Sequence, residues 1–212
     1  TAAFVWQTAL GGSLEARAEL AGDLTTGGLS VTCTVTDPAS GALLAEGGTD
    51  VTDARPNWSF APARALPAWS DRDPALVDVA LQLRRGSELL DERRWRGGFR
   101  HLVRDDRRLL LNGQPVFLRG ATEHAYYPET CTPPFDKAYY RRAVQRLKDI
   151  GFNWLRFHTS VPSEPYLQAA DELGMMIQVE APVGFTEPEW LDILHACRNH
   201  PSVVIYCGGN EE

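Results

Sequence analysis

The last eleven residues place ionisable side chains directly after a predicted strand. The run from Val203 to Tyr206 is apolar and rich in β-branched residues, which is typical of a buried strand in a parallel sheet. Two glycines follow it, and then come Asn210, Glu211 and Glu212. The carboxyl ends of such strands are where α/β folds hold their catalytic groups, and a carboxylate there can exchange protons. The same acidic pair could instead cap a following helix, so this stretch alone leaves both interpretations open.

Polar side chains also follow the three preceding predicted strands. Glu123 and His124 come after the first strand. Arg156 and His158 lie within and after the second, and Glu180 ends the third. Taken singly, either histidine is more often a structural residue, and the arginine could be a salt-bridge partner. Because the carboxyl ends of parallel strands lie at one edge of a sheet, four such ends predict one shared pocket.

Alternating strand and helix signals from about residue 115 position these side chains. The predicted strands span 115–121, 152–158, 175–182 and 203–206. The predicted helices run from the Asp136 cap to Gly151, over 163–173 and over 188–199. Asp136 can cap the first helix, Gly174 can end the second, and Thr186 with Glu189 forms a capping box for the third. This βαβαβαβ order predicts a parallel sheet with right-handed crossovers, about half of a (β/α)8 TIM barrel.

The first hundred residues carry antiparallel strand and turn signals instead. Residues 29–36 alternate Leu29, Val31, Cys33 and Val35 with polar neighbours, a period of two. Short strands with this alternation and frequent turns predict an antiparallel β-sandwich. Trp69 is predicted to be a core residue, because large aromatic side chains are usually buried. Further along, the Asn112-Gly113 dipeptide predicts a tight hairpin turn.

Composition restricts the function classes. The 212 residues are 43% hydrophobic and 23% charged, with a net charge of −7, as in ordinary globular proteins. The acidic balance disfavours nucleic acid and anionic membranes as partners. No apolar run approaches the about 20 residues that a membrane span needs. The four cysteines show no paired short spacing, so a zinc site is not predicted and disulfides stay open. The cellular compartment is not predicted.

Several segments together resemble a known family. They are the residues 111–124 (LNGQPVFLRGATEH), 153–182 (NWLRFHTSVPSEPYLQAADELGMMIQVEAP) and 199–212 (NHPSVVIYCGGNEE), preceded by 69–81 (WSDRDPALVDVAL) and 97–100 (GGFR). These resemble glycoside hydrolase family 2, which contains β-galactosidases, β-glucuronidases and β-mannosidases. The resemblance implies an immunoglobulin-like β-sandwich over 1–98. It implies the N-terminal half of a TIM-barrel catalytic domain, truncated after about four βα units, over 99–212.

The resemblance also implies roles for individual residues. Glu211 falls on the family's general acid/base, and Asn210 on the residue that holds the 2-hydroxyl of the sugar. Four further positions fall on substrate-binding residues of the family: His124, Arg156, His158 and Glu180. The implied activity is that of a retaining, exo-acting β-glycosidase of the β-galactosidase or β-glucuronidase type. The nucleophilic glutamate of that mechanism would lie outside this chain. The magnesium ligands of the galactosidase type are not recognisable in this sequence, so no metal or cofactor is predicted.

The sequence departs from the family pattern at two places. Tyr206-Cys207 stands where the family usually has Trp-Ser, and the acidic pair of the third strand is reduced to Val179-Glu180. An alternative class of function is a non-catalytic carbohydrate-binding or scaffold module that keeps only the fold. In either case the expected ligand is a carbohydrate. The open edges of a half-barrel also predict self-association if the chain is handled alone.

Overall fold

The computed structural model describes residues 2–24 and 27–210. These residues form mostly β-sheets with few helices. The strands are β1 (Ala2–Gln7), β2 (Leu14–Glu19), β3 (Leu29–Thr36), β4 (Leu43–Asp50), β5 (Asn57–Phe60), β6 (Val77–Arg85), β7 (Glu88–Gly97), β8 (Leu102–Asp105), β9 (Arg108–Leu111), β10 (Gln114–Val116), β11 (Gly120–Glu123), β12 (Trp154–Phe157), β13 (Met176–Glu180) and β14 (Val203–Cys207). The helices are α1 (Lys137–Asp149), α2 (Glu164–Leu173) and α3 (Glu187–Cys197).

The chain divides into two compact units that are not simply consecutive in sequence. The first unit contains residues 1–68 and 76–101. The second contains residues 102–212 together with the short segment 69–75, which lies between β5 and β6 along the chain. The second unit is therefore built from two separate stretches of sequence.

Two antiparallel sheets share one hydrophobic core in the first unit. One sheet has the strand order β1-β2-β5, and the other has the order β4-β3-β6-β7. The predicted alternation over 29–36 is confirmed, because Leu29, Val31, Cys33 and Val35 are all buried. Side chains from both sheets join them in the core, including Leu14, Trp58 and Leu81. Burial of alternate residues on facing sheets explains why the period of two is so clear in the sequence.

A small antiparallel sheet, β8-β9-β10, opens the second unit. Its last hairpin turns at Asn112-Gly113, where both residues have positive φ, 52° and 77°. This confirms the predicted tight turn, since two positive φ angles are what the favoured two-residue hairpin requires. The single strand predicted over 115–121 is wrong. Val116 ends β10, and a new strand in a different sheet begins at Gly120, because the chain changes sheets between them.

A four-stranded parallel sheet forms the rest of the second unit. Its strands lie in sequence order, β11-β12-β13-β14, and one helix separates each successive pair of strands. The predicted helix ends are confirmed: Asp136 accepts a hydrogen bond from the Ala138 amide, and Gly174 ends α2 with φ 73°. Glu189 accepts from the Thr186 amide at 2.7 Å, within the predicted capping box of α3. The buried faces of the helices and sheet enclose a second core, with Val144, Phe157, Leu167, Ile177 and Val203 among its members.

The segment 69–75 is joined to the rest of the second unit by one buried and one partly buried hydrogen bond. Trp69 is fully buried, as predicted, and its indole Nε1 donates to the Asp171 carbonyl of α2 at 2.8 Å. Asn153, directly before β12, donates from Nδ2 to the Asp71 carboxylate at 2.9 Å. At Gly174, a β-carbon would lie only 2.7 Å from the Asp71 carbonyl oxygen, so this position requires glycine for space as well as for its φ.

Candidate functional site

The carboxyl edge of the parallel sheet gathers most of the candidate residues. Arg156 lies within β12, His158 directly follows that strand, and Glu180 is the last residue of β13. Asn210 comes three residues after the end of β14, and His124 directly follows β11. In a parallel sheet these positions share one edge, which is why residues 86 positions apart in sequence can form one site.

Glu180 is the centre of this site. Its side chain is fully buried, and its Oε2 accepts from Arg156 Nε at 2.9 Å and Nη2 at 2.8 Å. Its Oε1 accepts from the Thr159 backbone amide at 2.9 Å and lies 3.2 Å from His158 Nδ1. Burial alone would raise the pKa of this carboxyl. The Thr159 amide and the Arg156 guanidinium outweigh burial and hold the pKa below its usual value.

The ionised carboxylate fixes the orientation of its histidine neighbour. A carboxylate without a proton can only accept hydrogen bonds, so His158 Nδ1 is assigned as the donor. This assignment leaves His158 Nε2 as the nitrogen that is free to act toward a ligand when the ring is neutral. About 29% of the His158 side chain is accessible, so the ring lies at the boundary between the buried carboxylate and the surface.

Arg156 extends the network to the last strand end. Its Nη2 donates to Asn210 Oδ1 at 2.7 Å while its other contacts hold Glu180. One guanidinium therefore links residues from the ends of three successive strands, β12, β13 and β14. Because the amide oxygen of Asn210 is engaged, its nitrogen is the atom left to donate to a ligand.

His124 joins the site through ring contacts. Its imidazole lies 5.0 Å from the His158 ring, at an interplanar angle of 78°, and 5.5 Å from the Tyr126 ring, at 13°. The first contact is edge-to-face and the second is stacked, two arrangements that aromatic rings prefer. His124 and Tyr126 are exposed, so they extend the site from the buried carboxylate toward solvent.

Two acidic candidates, Glu211 and Glu123, are not among the residues seen to contact Glu180. Glu211 lies outside the described residues, although its chain neighbour Asn210 is placed in the network. Glu123 does not join the Glu180 network; its Oε1 accepts from the Ala125 amide two residues on, at 2.7 Å. That local turn satisfies the carboxylate within its own loop.

Within residues 2–24 and 27–210, no group of three or more His, Cys, Asp and Glu side chains is arranged to hold a metal ion. The four cysteines are unpaired in the structure. Among the described helices, none is long and apolar enough to cross a membrane.

A second ionisable cluster lies at the amino end of β14. His200 Nδ1 is 2.6 Å from Asp171 Oδ2, and its Nε2 is 3.1 Å from Glu164 Oε2. The other Asp171 oxygen accepts from the Ser202 amide at 3.0 Å. Burial alone would lower the pKa of His200, but hydrogen bonds and charge from Asp171 and Glu164 raise it to about 9. The sequence indicated this position only as part of a short Asn-His-Pro-Ser run.

Comparisons with known proteins by sequence and by structure find glycoside hydrolases. No protein-family model matches the chain. A β-galactosidase of Enterobacter cloacae is 28% identical over 189 residues, covering 77% of this chain and 18% of the relative. A putative β-glucuronidase of Formosa agariphila is 29% identical over 156 residues, covering 68% of this chain and 19% of the relative. The chain thus spans less than a fifth of the length of these curated relatives.

Solved structures cover nearly the whole chain. A glycosyl hydrolase family 2 member from Bacteroides cellulosilyticus matches with a TM-score of 0.86 and 26% identity, covering 99% of this chain and 31% of that one. The chain is related to glycoside hydrolase family 2. A β-glucuronidase from Ruminococcus gnavus, in complex with a C6-substituted uronic isofagomine, matches with a TM-score of 0.76 and 27% identity. It covers 99% of this chain and 37% of that one.

Sequence reasoning did not assign two further residues, Thr159 and Cys207, to this site. Thr159 contributes only its backbone amide, presented by a positive φ of 48°, which is uncommon for a residue with a side chain. Cys207 pairs in register with Glu180 and helps to lower the pKa of that carboxyl, and its Sγ donates to the Gly209 carbonyl at 3.1 Å. Residue types alone do not reveal a backbone donor, although its position directly after His158 could have drawn attention to it.

Proposed function

We propose that this chain is part of a retaining, exo-acting β-glycosidase of the β-galactosidase or β-glucuronidase type, which hydrolyses terminal β-linked sugars. The observation that carries the proposal is the Arg156 link between Glu180 and Asn210 at the shared strand edge. This link supports the proposal because it holds Asn210, the residue before Glu211 in the sequence, beside a charged network. The names of the relatives and structural neighbours agree with this class of enzyme.

The proposed architecture has two domains, each with a counterpart in the family that the chain resembles. Residues 1–98 would form an immunoglobulin-like β-sandwich, which the two antiparallel sheets around one core support. Residues 99–212 would form the N-terminal half of a TIM barrel, which the four parallel strands in sequence order support. The remaining strands of that barrel would lie outside this chain.

The described network suits a ligand with several hydroxyl groups. Asn210 would donate from its amide nitrogen to the 2-hydroxyl of the sugar. His124 and His158 would bind further hydroxyl groups, since each ring nitrogen can donate or accept according to its tautomer. Arg156 and Glu180 would act mainly as positioning residues, because most of their polar atoms already bind each other.

The chemistry needs two carboxyl groups on opposite sides of the glycosidic bond. Glu211 would first protonate the oxygen of the leaving group while a nucleophilic glutamate, outside this chain, attacks the anomeric carbon. The resulting glycosyl ester would then be hydrolysed by water, from which the ionised Glu211 takes a proton. The anomeric configuration is retained because it is inverted twice.

The test is the Glu211→Ala variant of the enzyme in its full natural length. Substrates with poor leaving groups should lose far more activity than activated aryl glycosides, because only poor leaving groups need the proton. Azide should restore turnover of activated substrates and yield a β-glycosyl azide, since it replaces the missing base-activated water. Glu212→Ala is the matched control and should show neither effect. Equal losses on both substrate types, without azide rescue, would assign the acid/base role to another residue.

A further inference from the structure

Tyr126 is an exposed aromatic residue next to the polar network. Its side chain is 81% exposed, whereas the next residue, Tyr127, is half-buried and packs 6.4 Å from the Tyr140 ring in the core. An aromatic ring that stays exposed to water does not add the stability that its burial would give the folded protein. Single exposed aromatics are common, so exposure alone does not indicate a site.

The backbone around Tyr126 is held in a defined conformation. Ala125 has a positive φ of 54°, and its amide donates to Glu123 Oε1 at 2.7 Å. The Cys131 amide donates to the Tyr127 carbonyl at 2.7 Å, which closes the following turn. A non-glycine residue adopts such a φ at a cost, which neighbouring contacts must offset. These contacts direct Tyr127 inward and leave Tyr126 on the outer side of the loop.

Tyr126 is also connected to the buried carboxylate by a series of direct contacts. The series runs from Glu180 to His158 at 3.2 Å, from His158 to His124 at 5.0 Å between rings, and from His124 to Tyr126 at 5.5 Å. The Tyr126 ring is therefore three contacts away from Glu180, on the solvent side of the site. Only one of its faces can lie against His124, and the high exposure shows that the rest is accessible.

We propose that Tyr126 is a binding platform for the ring on the leaving-group side of a β-glycoside, either a second sugar or an aryl group. This inference rests on the proposed function, because that function places the terminal sugar at the Arg156–Glu180–Asn210 network. A ring attached to that sugar through the glycosidic oxygen would lie nearer solvent, where Tyr126 stands. The C–H groups of a sugar, or an aryl ring in offset stacking, suit the electron-rich face of a tyrosine.

Other exposed aromatic side chains in the same unit lack this combination. Phe117 is 75% exposed, but it precedes β11 and so lies at the amino end of the strand that His124 follows. Of Tyr126 and Phe117, Tyr126 is the one whose ring stacks on a candidate site residue, His124. Phe117 therefore provides a matched control: a large exposed ring in the same unit, at the opposite end of the same strand.

The experiment measures dissociation constants for the 212-residue chain by ligand-observed NMR. The probes are methyl β-D-galactopyranoside, phenyl β-D-galactopyranoside and lactose, together with methyl and phenyl β-D-glucuronide. Tyr126→Ala should weaken binding of the phenyl glycosides or lactose by about three- to tenfold, the range expected from one aromatic contact. It should change methyl glycoside binding by less than about twofold. Tyr126→Phe should keep the wild-type affinities because it retains the ring, and Phe117→Ala should have no effect.

Each outcome bears on the inference separately from the proposed function. Loss with lactose alone identifies a second sugar, loss with phenyl glycosides alone identifies an aryl group, and both support the platform. Unchanged affinities in Tyr126→Ala, or equal loss with methyl and phenyl glycosides, would overturn it. If Arg156→Ala still weakens methyl glycosides in that case, the sugar site of the proposed function stands without the platform. Absence of binding by every probe also overturns the platform, whereas azide rescue of Glu211→Ala judges the function on its own.

Discussion

Glu180 shows how a single buried charge can organise a site. A carboxylate removed from water needs charged partners and hydrogen-bond donors, and Glu180 has a guanidinium, a backbone amide and an imidazole around it. In return it fixes the positions of Arg156 and His158, the two side chains that face the more accessible part of the site. We therefore expect Glu180 to position other residues rather than to react.

Glu180→Gln should therefore destabilise the protein although it preserves the shape of the side chain. The variant leaves the partly buried Arg156 without its counter-charge. It also replaces one carboxylate oxygen, a hydrogen-bond acceptor, with an NH2 group that would face the donors that now bind Glu180. The free energy of unfolding should fall by about 1–3 kcal/mol in chemical denaturation at pH 7.

Glu172→Gln is the control for this measurement. Glu172 pairs with Lys137 and Arg141, whose side chains are about half exposed, so its loss should cost no more than about 1 kcal/mol. An equal effect of the two substitutions would contradict the central role of Glu180. Because the pKa of Glu180 is lowered, its contribution is present above the usual carboxyl pKa and is lost as pH falls.

The sequence predicted the side chains of this site better than their partners. Arg156, His158, Glu180 and Asn210 come together as expected, because strand ends could be located from hydrophobic runs. Glu123 does not join them, because the local turn at Ala125 satisfies its carboxylate. The residue type of Thr159 did not predict its contact, since its contribution is a backbone amide turned by an unusual φ.

At the scale of elements, His200 links the start of β14 to helix α2. Asp171 and Glu164 are seven residues apart on α2, so they lie on the same face of the helix and can contact the same imidazole. Burial of His200 disfavours the charged form of the ring, but the two carboxylates stabilise that form and raise the pKa of the imidazole. The link therefore strengthens when the ring is protonated.

This cluster predicts that stability falls as pH rises through the alkaline range. The folded-state pKa of His200 is about 9, above the ordinary value of 6.5, so the folded protein holds a proton that the unfolded chain releases. The contribution is complete below about pH 6.5 and is lost as pH rises through about 9. Denaturation midpoints of the wild-type chain should accordingly decrease from pH 7 to pH 9.5.

Two substitutions distinguish the contribution of the His200 cluster to the pH dependence of stability from that of other titrating groups. His200→Gln should lower stability at pH 7 and flatten the dependence between pH 7 and 9.5. His195→Gln changes an exposed histidine on α3 and should keep the wild-type slope. A wild-type chain whose midpoint is constant over this range would show that the cluster does not hold a proton.

Sequence patterns located elements best where a cap or a turn marked the boundary. Asp136, Gly174 and the Asn112-Gly113 turn all stand where they were expected. The strand predicted over 115–121 failed because its residues are uniformly compatible with extended structure. Nothing in their types shows that the chain leaves one sheet after Val116 and enters another at Gly120.

At the scale of the whole molecule, the chain spans 18% to 37% of the relatives and structures described above. We expect the isolated 212-residue chain to show no turnover of nitrophenyl β-glycosides. Retaining hydrolysis needs two carboxyl groups about 5–5.5 Å apart, and the proposal supplies only Glu211 from this chain. Colorimetric assays at high protein concentration provide the measurement. Turnover that disappears in Glu211→Gln would show that the chain contains a complete catalytic pair.

The two-part composition of the second unit also bears on how such genes can recombine. The segment 69–75 is encoded within the first unit, yet its Trp69 and Asp71 bind Asp171 and Asn153. A crossover near residue 101 between two relatives would combine the segment from one parent with its hydrogen-bond partners from the other. Exchange is then tolerated only if one parent supplies the indole and the carboxylate and the other supplies Asn153 and the glycine at position 174. The boundary that looks simplest along the gene is thus a poor place to join two parents.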